Sequence, residues 1–300
     1  MRMGFRDLGS SERSVRTGLW IARHMPPWAG YGLGQLVSRV IAWRKPEIFG
    51  IVRANLSHVV GPAVGDDKLD DIARRVFAHA GQCYYDFYHA LDRPLHVYRD
   101  LVHISDSFIE RVKSAMSDGC GVLVLGLHMS NFDLGMLSLC AHGLEMQALS
   151  LANPEAGFRL QNRLRAQEGL EVTAISAESL RTAIRRLKRG GLVMTGIDRP
   201  VPEDEALVPF FGQPAYLPLG PARLALMTDA LAFVGGCRYH PDTGYALHFT
   251  GPIDMLHSGD RRQDILLGAR RLAAATEEYV RAHPEQWLMF HPVWPDPSTR

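Results

Sequence analysis

The sequence contains no apolar run long enough to cross a bilayer, only four cysteines and almost no net charge. Each shortage excludes something. A spanning helix needs about 20 predominantly apolar residues, and the best candidate, 19–43, is interrupted by Arg23, His24, Pro26, Pro27, Gln35 and Arg39. The same interruptions deny it the short apolar core of a secretory leader. Cys83, Cys120, Cys140 and Cys237 are far apart and form no paired spacing for zinc or a redox motif. They read as reduced, mostly buried thiols of a cytoplasmic chain. A formal charge of +1 speaks against nucleic acid as a partner. A Gly-x-Ser-x-Gly elbow is also missing, which disfavours a serine-nucleophile hydrolase.

Three hundred residues, 46% hydrophobic and 22% charged, suit one large globular domain or a core domain with a smaller appendage. Charge is unevenly spread. Residues 1–53 carry nine basic side chains (Arg2, Arg6, Arg13, Arg16, Arg23, Arg39, Arg44, Lys45, Arg53) against Asp7, Glu12 and Glu47, which points to an anionic partner surface. Trp20, Trp28, Tyr31 and Trp43 interleave there with aliphatic residues and arginine, the makeup of helices lying in a membrane interface. The competing reading is a helical hairpin packed onto the protein's own core.

Between Lys68 and Leu91, apolar residues recur at the three-and-four spacing of a one-faced helix, started by Asp66 or Asp67. The spacing predicts a wholly helical region over 1–95. Beyond it, short apolar runs at 120–127, 146–152, 170–175, 191–197, 230–239 and 245–251 read as strands, and helices are expected at 131–141, 179–189, from Gly220, and over 264–282. This alternation predicts an α/β core over 96–300, a mostly parallel central sheet flanked by helices. The proline-rich tail is expected to end in disorder.

The stretch "LVLGLHMSNFDLG" (123–135) sets His128 and Asp133 five places apart where a strand gives way to a helix. Thirteen histidines and 32 acidic residues make about one such pair expected by chance, and two occur. The other, His291 with Asp296, has no helix after it. Ligands of open α/β sheets sit beyond the carboxyl ends of strands, so only His128 occupies a catalytic address. An aspartate in the first helical turn can reach a histidine on the preceding turn, hold one ring nitrogen and leave the other to take a proton from a hydroxyl.

"HMSNFD", then "VPFFGQPAYLPLGPARLALMTDA", then "HPEQWLMFHPVWP", preceded by "VRANLSHVVG", resemble the lysophospholipid acyltransferase superfamily. Within it the likeness is to the branch of bacterial lipid A late (lauroyl or myristoyl) acyltransferases and mycobacterial phosphatidylinositol mannoside acyltransferases, and it covers nearly the whole chain. The resemblance implies a glycerolipid-acyltransferase-like fold in which His128 is the base and Asp133 the orienting acid. It implies substrate-binding roles for Asn131, Arg163, Arg165, Asp198, Phe210, Phe211 and Gly212, with Arg163 and Arg165 steadying the charged intermediate or a donor phosphate. Phe132 completes its Asn-aromatic pair. No metal and no bound cofactor are implied; acyl carrier protein or coenzyme A brings the acyl thioester, and a membrane lipid accepts the chain. The expected place is the cytoplasmic face of the bacterial inner membrane, peripheral or monotopic. Ser130 stands where the family usually has glycine, and Arg199 after Asp198 is closer to the mannoside branch. A catalytically silent lipid-binding protein and a thioesterase on the same fold are the alternatives.

Overall fold

The computed structural model describes residues 11–295, apart from 92, 153, 155, 167, 168 and 202–205. Arg2, Arg6, Asp7 and Asp296 therefore lie outside the described residues, as does the end of the tail.

Four helices come first. α1 (Glu12–His24) starts at Ser11, whose hydroxyl accepts the Ser14 N–H at 3.2 Å. α2 (Pro27–Arg44) has proline in its first turn and stops at Lys45, which turns left-handed. α3 (Glu47–Val60) stops at Gly61, and α4 (Asp66–Ala90) is the long one-faced helix that the periodicity predicts. The core then runs β1 (Val102–Ile104), α5 (Asp106–Ser117), β2 (Val122–Gly126), α6 (Phe132–Ala141), β3 (Met146–Ser150), α7 (Ala156–Arg165), β4 (Leu170–Ala174), α8 (Ala177–Lys188) and β5 (Leu192–Gly196). A hairpin of β6 (Val208–Phe210) and β7 (Gln213–Ala215) follows, then α9 (Gly220–Thr228), β8 (Leu231–His240), β9 (Gly244–Ile253) and α10 (Arg261–Ala282).

Seven strands form one sheet in the order β1-β9-β8-β2-β5-β3-β4. All neighbours are parallel except β8 and β9. β2 is central and buried on both faces, and its period-two alternation divides it between the layers. Val122 and Val124 pack with Leu134, Leu137 and the α4 residues Tyr85 and Phe87. Leu123 and Leu125 pack with Leu272, Ala273 and Val280 of α10. Val15 and Ala22 of α1 belong to the first of these clusters, so the apolar core runs across the expected boundary at 95.

A partly buried carboxylate and a buried amide tie the helical region to the rest. Asp86 accepts the hydroxyls of Tyr31 and Tyr245, joining α2 to β9. Asn55 donates to the carbonyls of Met289 and His291 and accepts the Val293 N–H, so α3 grips the carboxyl-terminal segment. Burial of such groups is tolerated because each is answered.

Candidate active site

β2 and β5 both end in glycine, and Gly126 lies opposite Gly196 on one side and Gly235, midway along β8, on the other. The His128 ring lies over this end of the sheet, and a Cβ on Gly196 would sit 3.3 Å from its Cε1. The absence of that side chain gives the imidazole its place.

His128 is held at three points. Its Nδ1 lies 2.8 Å from Asp198 Oδ1, and its backbone N–H donates to Asp198 Oδ2 at 2.9 Å. Its carbonyl accepts the Leu288 N–H, while Ser130 donates its own N–H to the Gln286 carbonyl. The segment 286–288 thus clamps the turn from outside. Gln286 is anchored in turn, accepting Tyr239 N–H and donating to Tyr239 O. Trp287, itself buried, donates its indole N–H to Asp198 Oδ2 at 2.8 Å.

Asp198 is fully buried. Burial alone would raise its pKa, but the facing imidazole, its N–H, the Trp287 indole and the His128 amide hold the carboxyl below its usual range. An ionised carboxylate only accepts, so the His128 proton sits on Nδ1 and Nε2 is left as a base. The His128 side chain keeps 28% of its surface exposed. A buried anion behind and an accessible nitrogen in front are what proton removal from a bound hydroxyl requires.

Asp133 does not fill the orienting place expected of it. Both its oxygens are engaged by Arg165, at 2.6 Å to Nε and 3.3 Å to the terminal nitrogen, and Arg165 also donates to Asn162. The reason is helical direction: Asp133 sits in the first turn of α6 and meets α7, while adjacency of β2 and β5 brings Asp198 beneath the imidazole. Burial opposes the Arg165 charge, and Asp133 more than restores it. Phe132 links the pair to His128, meeting the imidazole edge-on at 5.2 Å and carrying the Arg165 guanidinium 5.7 Å from its ring centre.

Other expected site residues divide. Asn131 is buried and acts as a helix cap: its oxygen accepts Leu134 N–H and its amide donates to Cys83 O, so it faces backbone and not a substrate. Arg163 is exposed, and its charge faces Glu12 of α1. Phe210 is fully buried, stacked on Trp294 and edge-on to Trp287, so it supports the indole that holds Asp198. Phe211 and Gly212 are the two left-handed residues of a tight hairpin turn. They border a surface depression of about 270 Å³ with His58, Glu277 and Arg281, and His128 is not among the residues that line it.

Residues without a sequence signal complete the surroundings. Tyr84 of α4 lies among Asp133, Arg165 and Gln161, and burial raises its pKa. Ser130 takes up a left-handed conformation at φ 48°, the steric reason glycine suits this position. Its hydroxyl lies 2.9 Å from His79 Nε2.

A family model described as bacterial lipid A biosynthesis acyltransferase matches residues 14–295. The chain belongs to that family. Among curated relatives of this acyltransferase-family chain is the phosphatidylinositol mannoside acyltransferase of Mycobacterium tuberculosis, 26% identical over 190 residues, 62% of this chain and 58% of the relative. That of Mycolicibacterium smegmatis is 26% identical over 250 residues, 81% of this chain and 78% of the relative. The chain thus aligns with less than two thirds of the length of the M. tuberculosis protein.

Proposed function

We propose that the protein transfers a fatty acyl chain from an acyl thioester, carried by acyl carrier protein or coenzyme A, to a hydroxyl of a membrane glycolipid. The observation that carries this reading is the partly exposed His128 ring with its Nδ1 2.8 Å from the buried carboxyl of Asp198. The acceptor hydroxyl gives its proton to Nε2 as its oxygen attacks the thioester carbonyl. The tetrahedral intermediate then collapses, the carbon–sulfur bond breaks, and the imidazolium returns the proton to the departing thiolate. Asp198 stabilises the imidazolium and keeps the ring oriented. Base assistance of this kind contributes about 10²–10⁴ in rate, with alignment of the two substrates supplying much of the rest.

Family membership supports a lipid A type of acceptor, and the names of the relatives support a phosphatidylinositol mannoside type. Asp198 followed by Arg199 favours the second. No helix among the described residues is long and apolar enough to cross a membrane. The outward face of α2, with Trp28 and Trp43 each 78% exposed beside Leu36 and Val40, supports peripheral attachment to a membrane, and the proposed place is the cytoplasmic face of the inner membrane.

The test uses labelled acyl-coenzyme A and acyl carrier protein with glycolipid vesicles. Wild type is expected to move label into lipid, with thiol release stimulated by the acceptor, while folded His128→Ala moves none. Thiol release indifferent to acceptor would make the protein a thioesterase, and no release with any donor would leave a lipid-binding protein.

A further inference from the structure

Two arginines flank the candidate site, and only one is answered. Arg165 rests over Phe132 with both oxygens of Asp133 against it. Arg199 is held in a similar way, its guanidinium 5.7 Å from the ring centre of Phe158 on α7. It follows Asp198 directly, on the turn that carries the acid behind His128. Its nearest carboxylate, Asp198, is already committed to His128 and Trp287. Among the described residues no carboxylate forms an ion pair with Arg199. Burial lowers its pKa, with Asp198 and the Tyr84 hydroxyl only partly opposing.

A half-desolvated guanidinium without an anion is costly, and the cost is offset once an anion arrives. Stacking on Phe158 leaves the planar fork pre-oriented, and two parallel N–H donors match the oxygens of a phosphate. Both substrates of the proposed reaction offer this chemistry. A coenzyme A or phosphopantetheine donor carries phosphates, and so does a phosphatidylinositol-based or phosphorylated glycolipid acceptor.

We propose that Arg199 is a phosphate-binding residue of the active site, taking the oxygens of a substrate phosphate or phosphodiester beside His128. The proposal rests on the acyl-transfer reading for its substrates. Arg165 cannot take this role while Asp133 occupies it, which leaves Arg199 to select phosphate-bearing substrates.

The test compares wild type, Arg199→Gln and Arg199→Lys, each checked for an unchanged melting temperature. Two donors are used, palmitoyl-coenzyme A and the phosphate-free palmitoyl-N-acetylcysteamine. Two acceptors are used, an anionic mannosylated phosphatidylinositol and a neutral glycosyl diacylglycerol. Arg199→Gln is expected to raise KM about 10- to 100-fold for the phosphate-bearing donor or acceptor, with kcat little changed, and to leave its phosphate-free counterpart unaffected. Arg199→Lys restores part of the loss. The arm that responds identifies which substrate supplies the phosphate.

Calorimetric binding of coenzyme A and of glycerophosphoinositol gives a readout that does not depend on turnover. A tenfold or greater loss of affinity for either in Arg199→Gln supports the site even if no acyl transfer is found, in which case only the reaction fails. Equal KM changes for phosphate-bearing and phosphate-free substrates, or unchanged KM and affinity beside active wild type, overturn the proposal for Arg199 and leave the reaction standing.

Discussion

At the carboxyl ends of β2 and β5 the chain buries charge, whereas along the outward face of α2 it exposes tryptophan. Asp198, Asp133 and Arg165 are nearly or wholly inaccessible, and each is matched by directed partners. Trp28 and Trp43 stand in the open at 78%, with Leu36 at 56%. Both arrangements are unfavourable in a chain that only has to fold, since buried charge needs compensation and exposed apolar area gains nothing from water. The first is compensated from within, by the 286–288 segment and α7. The second stays exposed among the described residues, with only the Arg44 guanidinium over the Trp43 ring, and a lipid surface is its proposed complement. Tyr31 marks where the two regimes meet: it lies on the same helix as Trp28 but turns inward to Asp86.

The comparison breaks most readily at Asp198. Asp198→Asn removes the charge behind the imidazole and can invert its tautomer, so activity in the acyl-transfer assay is expected to fall by about 10³–10⁴-fold in a folded protein. Next comes the neighbouring pair. Arg165→Ala leaves the buried Asp133 carboxyl without its partner, and should lower unfolding free energy by about 3–5 kcal/mol in urea titration. A loss below about 1 kcal/mol would mean that the pair is solvated. On α2 the expectations reverse. Trp28→Ser and Trp43→Ser should change stability by no more than about 0.5 kcal/mol, yet each should weaken sedimentation with anionic vesicles by about tenfold, the equivalent of burying one large apolar side chain.

Stability is also expected to depend on pH. Burial lowers the His79 pKa to about 4, against about 6.5 in an unfolded chain. Between these values the unfolded chain holds the extra proton, so stability rises with pH by up to about 1.4 kcal/mol per unit and levels off above pH 6.5. His79→Gln should flatten that part of the stability curve relative to wild type.

Much of the fold was legible in the sequence because its central strands are short, largely apolar runs and its long helices are one-faced. β2, β3, β4 and β5 each fall within a residue or two of the expected runs. Most of the unread elements lack such signals. β1 has three residues, and α7 is short and rich in polar residues; α5 does carry a helical apolar spacing, at Phe108, Ile109, Val112 and Met116, that went unread. In the site, His128 was legible as a strand-end histidine. Its partner was not, because local spacing offers Asp133, and Asp198 becomes a neighbour only through the pairing of β2 with β5. Trp287 and Tyr84 come from distant segments that nothing in the local sequence ties to His128. Phe211 and Gly212 turn the β6–β7 hairpin, a conformation that the glycine-containing pattern alone did not specify.

The claim that Asp198, and not Asp133, sets the His128 ring is tested most directly by proton NMR of the imidazole N–H in wild type, Asp198→Asn and Asp133→Asn. The account predicts a downfield Nδ1-bound proton of His128 in wild type that survives Asp133→Asn and disappears in Asp198→Asn. A resonance that persists without the Asp198 carboxylate, and is lost without that of Asp133, would contradict it.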